Sequence, residues 1–184
     1  MNSEVISSRY AKALLAYAAE AGSGDKVYSQ VLAILQVMAE MPQLKDVVIK
    51  LDDVALTKKI ELLSTAAGEP LADELVRFIE LVSSHRRMDK FHLMMSSYIK
   101  RYRQSNNIKV GTLVTASQDD DLKDRLETMF SDRTASDVHF TTSVDPQLLG
   151  GFVFELDGYR LDASVRTRLE KIRQCLVDDS SRIV

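Results

Sequence analysis

Apolar residues recur every three or four positions through the first 106 residues, a spacing that is typical of amphipathic helices. Six such runs are separated by glycine, proline or polar segments, such as the glycines at 22 and 24 and the proline at 42. Pro70 suits the first turn of the fifth helix, where a backbone N–H is not needed. The expected helices begin near Ser3, Asp25, Leu44, Asp53, Pro70 and Met88. Residues 1–106 are therefore expected to form a six-helix bundle.

The periodicity changes at Asn106-Asn107, which is the best candidate for a domain boundary. Residues 108–114 and 138–142 alternate like strands, and an acidic cap at 117–121 opens a helix between them. Residues 107–184 are expected to form a smaller mixed α/β domain in the order β-α-β-β-β-α. The predicted fold class is mainly α with a smaller α/β part.

The segment from Asp145 to Leu176 contains a turn, a hairpin and a long helix. Asp145-Pro146 and Gly150-Gly151 favour tight turns, and apolar residues alternate on both sides of Asp157-Gly158, which predicts a hairpin. Asp162 and Ser164 are good N-caps for the helix that follows. Its apolar stripe consists of Val165, Leu169, Ile172 and Leu176. Four basic residues flank this stripe, a pattern that is also typical of an ordinary solvated helix face.

Composition narrows the classes of function. The 184 residues are 45% hydrophobic, which is enough for a real core, and the formal net charge is −3. Basic residues are interleaved with acids instead of forming a patch, which disfavours nucleic-acid binding. No apolar run approaches the ~18–20 residues needed to cross a bilayer, and the N-terminus resembles neither a signal peptide nor a transit peptide. These features predict a soluble bacterial cytoplasmic protein whose mature chain begins at Met1.

No constellation of residues indicates catalysis or a cofactor. Gly150-Gly151 is not followed by the lysine and hydroxyl residue of a P-loop, and no GxGxxG motif follows a strand. His85 and His92 lack a carboxylate at zinc-site spacing, and Cys175 is the sole cysteine, which excludes an internal disulfide. Ser164 has no histidine nearby in sequence and is interpreted as a cap. We expect no catalytic residue, cofactor or metal, and an interaction surface instead.

Two motifs at opposite ends of the chain resemble the same family. Asp145-Pro146, then LGGF at 149–152 and Tyr159 with LDASVR at 161–166, resemble the C-terminal signature of the delta subunit of F-type ATP synthases. The mitochondrial counterpart of that subunit is the oligomycin-sensitivity-conferring protein. Arg9-Tyr10-Ala11-Lys12-Ala13-Leu14 resembles the Tyr-Ala-Lys-Ala opening of the family's first helix. Residues 85–88 read HRRM, where the family often has asparagine-glycine-arginine-leucine.

The resemblance implies a non-catalytic stator subunit. Such a subunit links the alpha/beta head to the peripheral-stalk b subunits, so that the head does not rotate with the rotor during proton- or ion-driven ATP synthesis. The N-terminal helix of an alpha subunit is expected in the groove between the first and fifth helices. The residues implied at that contact are Tyr10, Ala13, Leu14, Tyr17, Leu75, Phe78 and Ile79. Those implied at the b subunits are Leu169, Ile172 and Leu176. A peripheral position on the cytoplasmic side of the inner membrane, in single copy, is also implied.

Several alternatives remain open. The alanines of the first helix leave shallow relief for a partner helix, but alanine is also simply the best helix former. Phe78 and Ile79 are equally compatible with a core position, and the 169–176 stripe could cover the sheet. A free-standing helical adaptor with a different partner is the alternative function. An enzyme whose site assembles from dispersed residues is disfavoured.

Overall fold

The computed structural model describes residues 3–50 and 55–181 and divides into two compact units, Met1–Ser105 and Asn106–Val184. The first unit is helical, and the second combines a small sheet with two helices. The predicted fold class is therefore confirmed.

The first unit contains six α-helices within the described residues. They are α1 (Ser3–Glu20), α2 (Gly24–Glu40), α3 (Pro42–Lys50), α4 (Leu56–Ala67), α5 (Asp73–Ser84) and α6 (Phe91–Ser105). α1 packs most extensively on α6. Its buried side carries Ser7, Ala11 and Ala18 around Leu14, and such small residues let a neighbouring helix approach closely. The apolar residues on the buried faces of the helices form the core of the bundle.

The start of α5 differs from the prediction because of a buried side chain in α2. α5 begins at Asp73 and not at Pro70. The amide of Gln30, which is buried, donates to the carbonyl oxygen of Pro70 and accepts from the backbone N–H of Ala72, both at 2.9 Å. Ala72 is held in an extended conformation, so the helix starts only after it.

Smaller differences concern the third, fourth and sixth helices. α3 begins at Pro42, two residues before the predicted start at Leu44. Met88 opens a 3₁₀ turn, Met88–Lys90, and α6 follows it. The predicted start of the fourth helix at Asp53 lies outside the described residues.

The second unit is built in the predicted order. Its elements are β1 (Ile108–Thr115), α7 (Asp120–Thr134), β2 (Asp137–Val144), β3 (Phe152–Leu156), β4 (Tyr159–Asp162) and α8 (Val165–Ser181). The strand order is β2-β1-β3-β4. β1 pairs parallel with β2 and antiparallel with β3, and β4 pairs antiparallel with β3. The parallel pair needs a crossover, which α7 supplies.

The core of this unit lies between the sheet and α7. Phe130 of α7 meets the rings of Phe140 and Phe154 edge-on, with centroids 6.0 and 5.0 Å apart. Gly111 lies beside them on the central strand, where a Cβ would stand 2.8 Å from the Phe140 ring and 2.5 Å from the carbonyl oxygen of Glu155. Only glycine allows this packing at an undistorted strand.

The predicted turns are present and place β4 and the start of α8. Asp157 and Gly158 both have positive φ, 51° and 80°, as a two-residue hairpin turn of the type favoured by strand twist requires. Gly151 has a φ of +74°, and a Cβ there would lie 2.3 Å from the carbonyl oxygen of Ala163. The glycine therefore lets the loop before β3 pack directly against the residues that lead into α8.

Candidate partner-binding surfaces

The first candidate surface lies where α1 meets α5. The ring of Tyr10 on α1 packs edge-on against Phe78 on α5, with centroids 6.2 Å apart. The Tyr10 hydroxyl accepts a hydrogen bond of 3.0 Å from Nη1 of Arg87, whose guanidinium also lies 5.6 Å from the ring centroid. Tyr10 is therefore held from two sides and keeps one orientation.

Tyr17, two turns further along α1, makes a second bridge to α5. Its hydroxyl accepts a hydrogen bond of 2.8 Å from Nη1 of Arg77, while 36% of the residue stays exposed. Ala13 lies between the two tyrosines on the same side of α1 and is exposed, and Leu81 of α5 is 46% exposed. We call the set Tyr10, Ala13, Tyr17, Arg77 and Leu81 the α1–α5 surface. This surface has two fixed tyrosine rings, a small alanine between them and the apolar side chain of Leu81. Such a combination suits the binding of a partner helix in a groove.

The seven residues implied at this contact separate into two groups. Tyr10, Ala13 and Tyr17 reach the surface. Leu14, Leu75, Phe78 and Ile79 are buried, with at most 5% of any of them exposed. In the isolated chain the buried group forms the layer beneath the surface, and it fixes the positions of the exposed group.

Three residues of this region were missed by the sequence reasoning. Arg77 and Leu81 lie one turn apart on α5, and Arg87 follows that helix. The contacts of Arg77 and Arg87 with α1 join residues that are 60 and 77 positions apart in sequence. The helical spacing of Arg77 and Leu81 was a usable signal, because it places them beside Phe78 on the solvent side of the same helix.

The second candidate surface is α8. Val165, Leu169 and Ile172 are 39%, 51% and 51% exposed, and the main contact of the helix is with the short turn Pro146–Leu148. Leu169 and Ile172 are therefore half-exposed and do not fill the core beneath the sheet. The side chain of Leu176 lies outside the described residues.

The start of α8 is fixed by the two predicted caps. The Ser164 hydroxyl accepts from the backbone N–H of Thr167 at 3.2 Å, and the Asp162 carboxylate accepts from the Ser164 N–H and the Thr167 hydroxyl, both at 2.9 Å. Interactions with the Ser164 hydroxyl and backbone N–H, and then with the Thr167 hydroxyl, lower the pKa of Asp162 to about 2. Ser164 is thus a cap, as the sequence reasoning interpreted it.

Potential metal ligands are dispersed over the part of the chain that the structure describes. Among them, no three histidine, cysteine, aspartate or glutamate side chains come together in an arrangement that could hold a metal ion. His85 contacts the Leu81 carbonyl oxygen through Nδ1 at 2.9 Å, and His139 pairs with Asp137 at 3.1 Å. Within the same ranges, 3–50 and 55–181, no helix has the length and apolar character needed to cross a bilayer.

Comparisons with known proteins identify the family. The model of the family described as ATP synthase delta (OSCP) subunit matches residues 6–176. ATP synthase subunit delta of Phocaeicola vulgatus is 39% identical over 184 residues, covering 98% of both chains. The same subunit of Bacteroides fragilis is 36% identical over 98% of both chains, and that of Lactobacillus johnsonii is 31% identical over 97% of this chain and 98% of the relative.

A solved structure supports the fold. A chain in the cryo-EM composite model of the Toxoplasma gondii mitochondrial ATP synthase hexamer is similar over 93% of this chain and 97% of that chain, with a TM-score of 0.63 and 16% identity. The resemblance of the two terminal motifs is confirmed by the family match, which spans both. The chain therefore belongs to the ATP synthase delta (OSCP) subunit family, whose members are non-catalytic subunits of ATP synthase.

Proposed function

We propose that this chain is a stator link of an F-type ATP synthase. Its N-terminal unit holds the alpha/beta head through the N-terminal helix of an alpha subunit, and its C-terminal unit holds the peripheral-stalk b subunits. The link keeps the head from turning with the rotor during ion-driven ATP synthesis. The chain lies peripherally on the cytoplasmic side of the membrane, in single copy.

The α1–α5 surface is the observation that carries the proposal. Tyr10 and Tyr17 are each anchored by an arginine from outside α1, so a partner that packs on them does not have to order them first. Ala13 between them leaves room for the backbone of a partner helix to approach. A link that resists torque needs a long residence time, and a preformed groove favours slow dissociation.

The second unit supplies the other attachment. α8 presents an apolar stripe that its own unit leaves half-exposed, at residues that the family resemblance assigns to the b subunits. Leu169 and Ile172 form that contact in the proposal, together with Leu176. Two exposed surfaces in two separate compact units are what a connecting subunit requires.

A substitution in the groove tests the head contact. Ala13→Asp puts a charge where the partner helix lies, and burial of that charge should weaken binding at least about tenfold. The measurement is calorimetric titration of the full chain with a peptide from the N-terminus of the same organism's alpha subunit. Ala19→Asp is the matched control, because Ala19 is exposed on α1 but points about 120° away around the helix.

Each outcome has a defined meaning. Circular dichroism should show both variants folded, since both alanines are exposed. Equal affinities for the Ala13 and Ala19 variants would place the head contact elsewhere on the chain. Two results together would refute the stator function and favour a free-standing adaptor. The unmodified chain would show no saturable binding to the peptide, and the purified ATP synthase complex would not contain the chain.

A further inference from the structure

The charges on α8 follow the same repeat as its apolar stripe. Val165, Leu169 and Ile172 are spaced by four and three residues, which matches the d, a and d positions of a heptad. In this register Arg166 and Arg173 occupy e positions and Arg168 occupies a g position. These are the positions that face a partner's charges across a two-helix seam. Glu170, the one acid between 165 and 175, falls at b on the outer side.

We propose that α8 forms a short coiled-coil seam with an acidic amphipathic helix of the stalk partner. The inference rests on the proposed function, in which the b subunits attach to this unit, and it specifies the chemistry of the attached segment. That segment carries apolar residues at its own seam positions and glutamate or aspartate beside them. The apolar part of the seam is formed by the half-exposed Leu169 and Ile172, and the arginines select the partner.

The sequence of α8 disfavours two other occupants, one because of its charges and the other because of its narrow apolar stripe. A second copy of the chain would bring arginines at e and g against arginines at the same positions, and like charges at these positions repel. An anionic membrane surface would be met by a broad apolar face with aromatic residues, whereas the described part of α8 has a narrow stripe without aromatic side chains.

The seam is short, and this too constrains the partner. The described side chains of α8 contribute only three consecutive seam positions, Val165 to Ile172, and Leu176 continues the spacing in the sequence. An isolated helix of this length is not stable in water, so such a seam cannot order a flexible peptide by itself. The partner segment is therefore a helix that its own assembly already stabilises.

Charge reversal within one helix tests the proposal. The full chain is titrated with the soluble C-terminal segment of the same organism's b subunits in its assembled, helical form, which circular dichroism verifies beforehand. Arg173→Glu and Arg168→Glu should each raise the Kd about fivefold, since each loses an ion pair and gains a repulsion, and the salt dependence should weaken. Lys171→Glu is the matched control: it makes the same charge change at the outer c position and should change the Kd less than about twofold.

The outcomes separate this proposal from the stator function. The acidic seam would be overturned, and the stalk attachment would stand, if the unmodified chain binds the b segment and neither arginine reversal weakens that binding. The same conclusion would follow if the Lys171 reversal weakens binding as much as the arginine reversals do. Absence of binding to the b segment would overturn both. α8-dependent self-association in sedimentation, or α8-dependent binding to phosphatidylglycerol vesicles, would assign the helix to one of the two disfavoured occupants. The seam would be supported directly if replacing the acidic residues of the b segment with lysine restored its affinity for the Arg173→Glu chain.

Discussion

At the scale of single residues, the two tyrosines of the α1–α5 surface and the first turn of α8 are each positioned by groups that lie outside their own helix. Arg77 and Arg87 fix the two tyrosines of α1, and Asp162 with Ser164 fixes the first turn of α8. A side chain whose orientation is set in advance loses less entropy when a partner binds.

Replacing Gly151 with alanine is expected to cost more stability than replacing Gly158 with alanine. Both have positive φ, so Ala at either position carries a backbone cost of about 1–2 kcal/mol. Only Gly151→Ala adds a clash, because its Cβ would meet the Ala163 carbonyl oxygen at 2.3 Å, whereas nothing lies within 4 Å of a Cβ at Gly158. Urea unfolding should show Gly151→Ala less stable than Gly158→Ala. Equal losses would mean that the loop before β3 relaxes freely.

The cap at Asp162 should make the start of α8 sensitive to acid. The pKa of this carboxyl is lowered from 3.8 to about 2 in the folded chain, so its stabilising effect is present above about pH 4. That effect is lost as the pH falls from about 4 through 2. An NMR titration of the Asp162 carboxyl should give the low midpoint, with amide shifts of Ser164 and Thr167 following it. In Asp162→Asn, which keeps an acceptor oxygen but does not titrate, those shifts should disappear.

At the scale of elements, the position of α5 depends on one buried amide in α2. Gln30 bonds to Glu69, Pro70 and Ala72 and so sets where α5 begins beside α1. Gln30→Ala leaves the Ala72 N–H without this acceptor and opens a cavity, which should cost about 2–3 kcal/mol.

The matched control for that substitution lies on the same helix. Gln36 is exposed and its amide donates to the Glu40 carboxylate at 3.2 Å, so Gln36→Ala should change stability by less than about 0.5 kcal/mol. Thermal unfolding of the full chain compares the two variants. Similar melting temperatures for both would show that α5 is held by its apolar face alone.

The sequence predicts elements whose signals are local and misses those set at a distance. The Asp157-Gly158 hairpin and the caps of α8 follow from a few adjacent residues, and the structure has them where expected. The start of α5 does not, because its determinant, Gln30, is about forty residues away. The same reason explains why Arg77 was missed: its partner Tyr17 is on another helix. Burial of Leu14 and Leu75 also depends on how the helices pack, which periodicity alone does not specify.

At the scale of the whole molecule, the two surfaces belong to separate compact units. Each surface consists of residues of its own unit, so we expect the two to contribute independently to binding. The Ala13→Asp chain should therefore bind the b segment with unchanged affinity, and the Arg173→Glu chain should bind the alpha peptide normally. Titration of each variant with both probes checks this. A crossed effect of more than about twofold would indicate that the units are energetically coupled.

The central position of β1 in the sheet also affects the order in which the two units fold as the chain is synthesised. β1 is the first strand to leave the ribosome. One of its edges can pair only after α7 and β2 have been made, and the other only after β3 has been made, where Thr112 pairs with Glu155. The helical unit precedes all of this in the chain, and units generally fold as they emerge. Non-local strand pairing is the slower process. A newly made chain should therefore complete the proposed head-binding surface before the proposed stalk-binding surface.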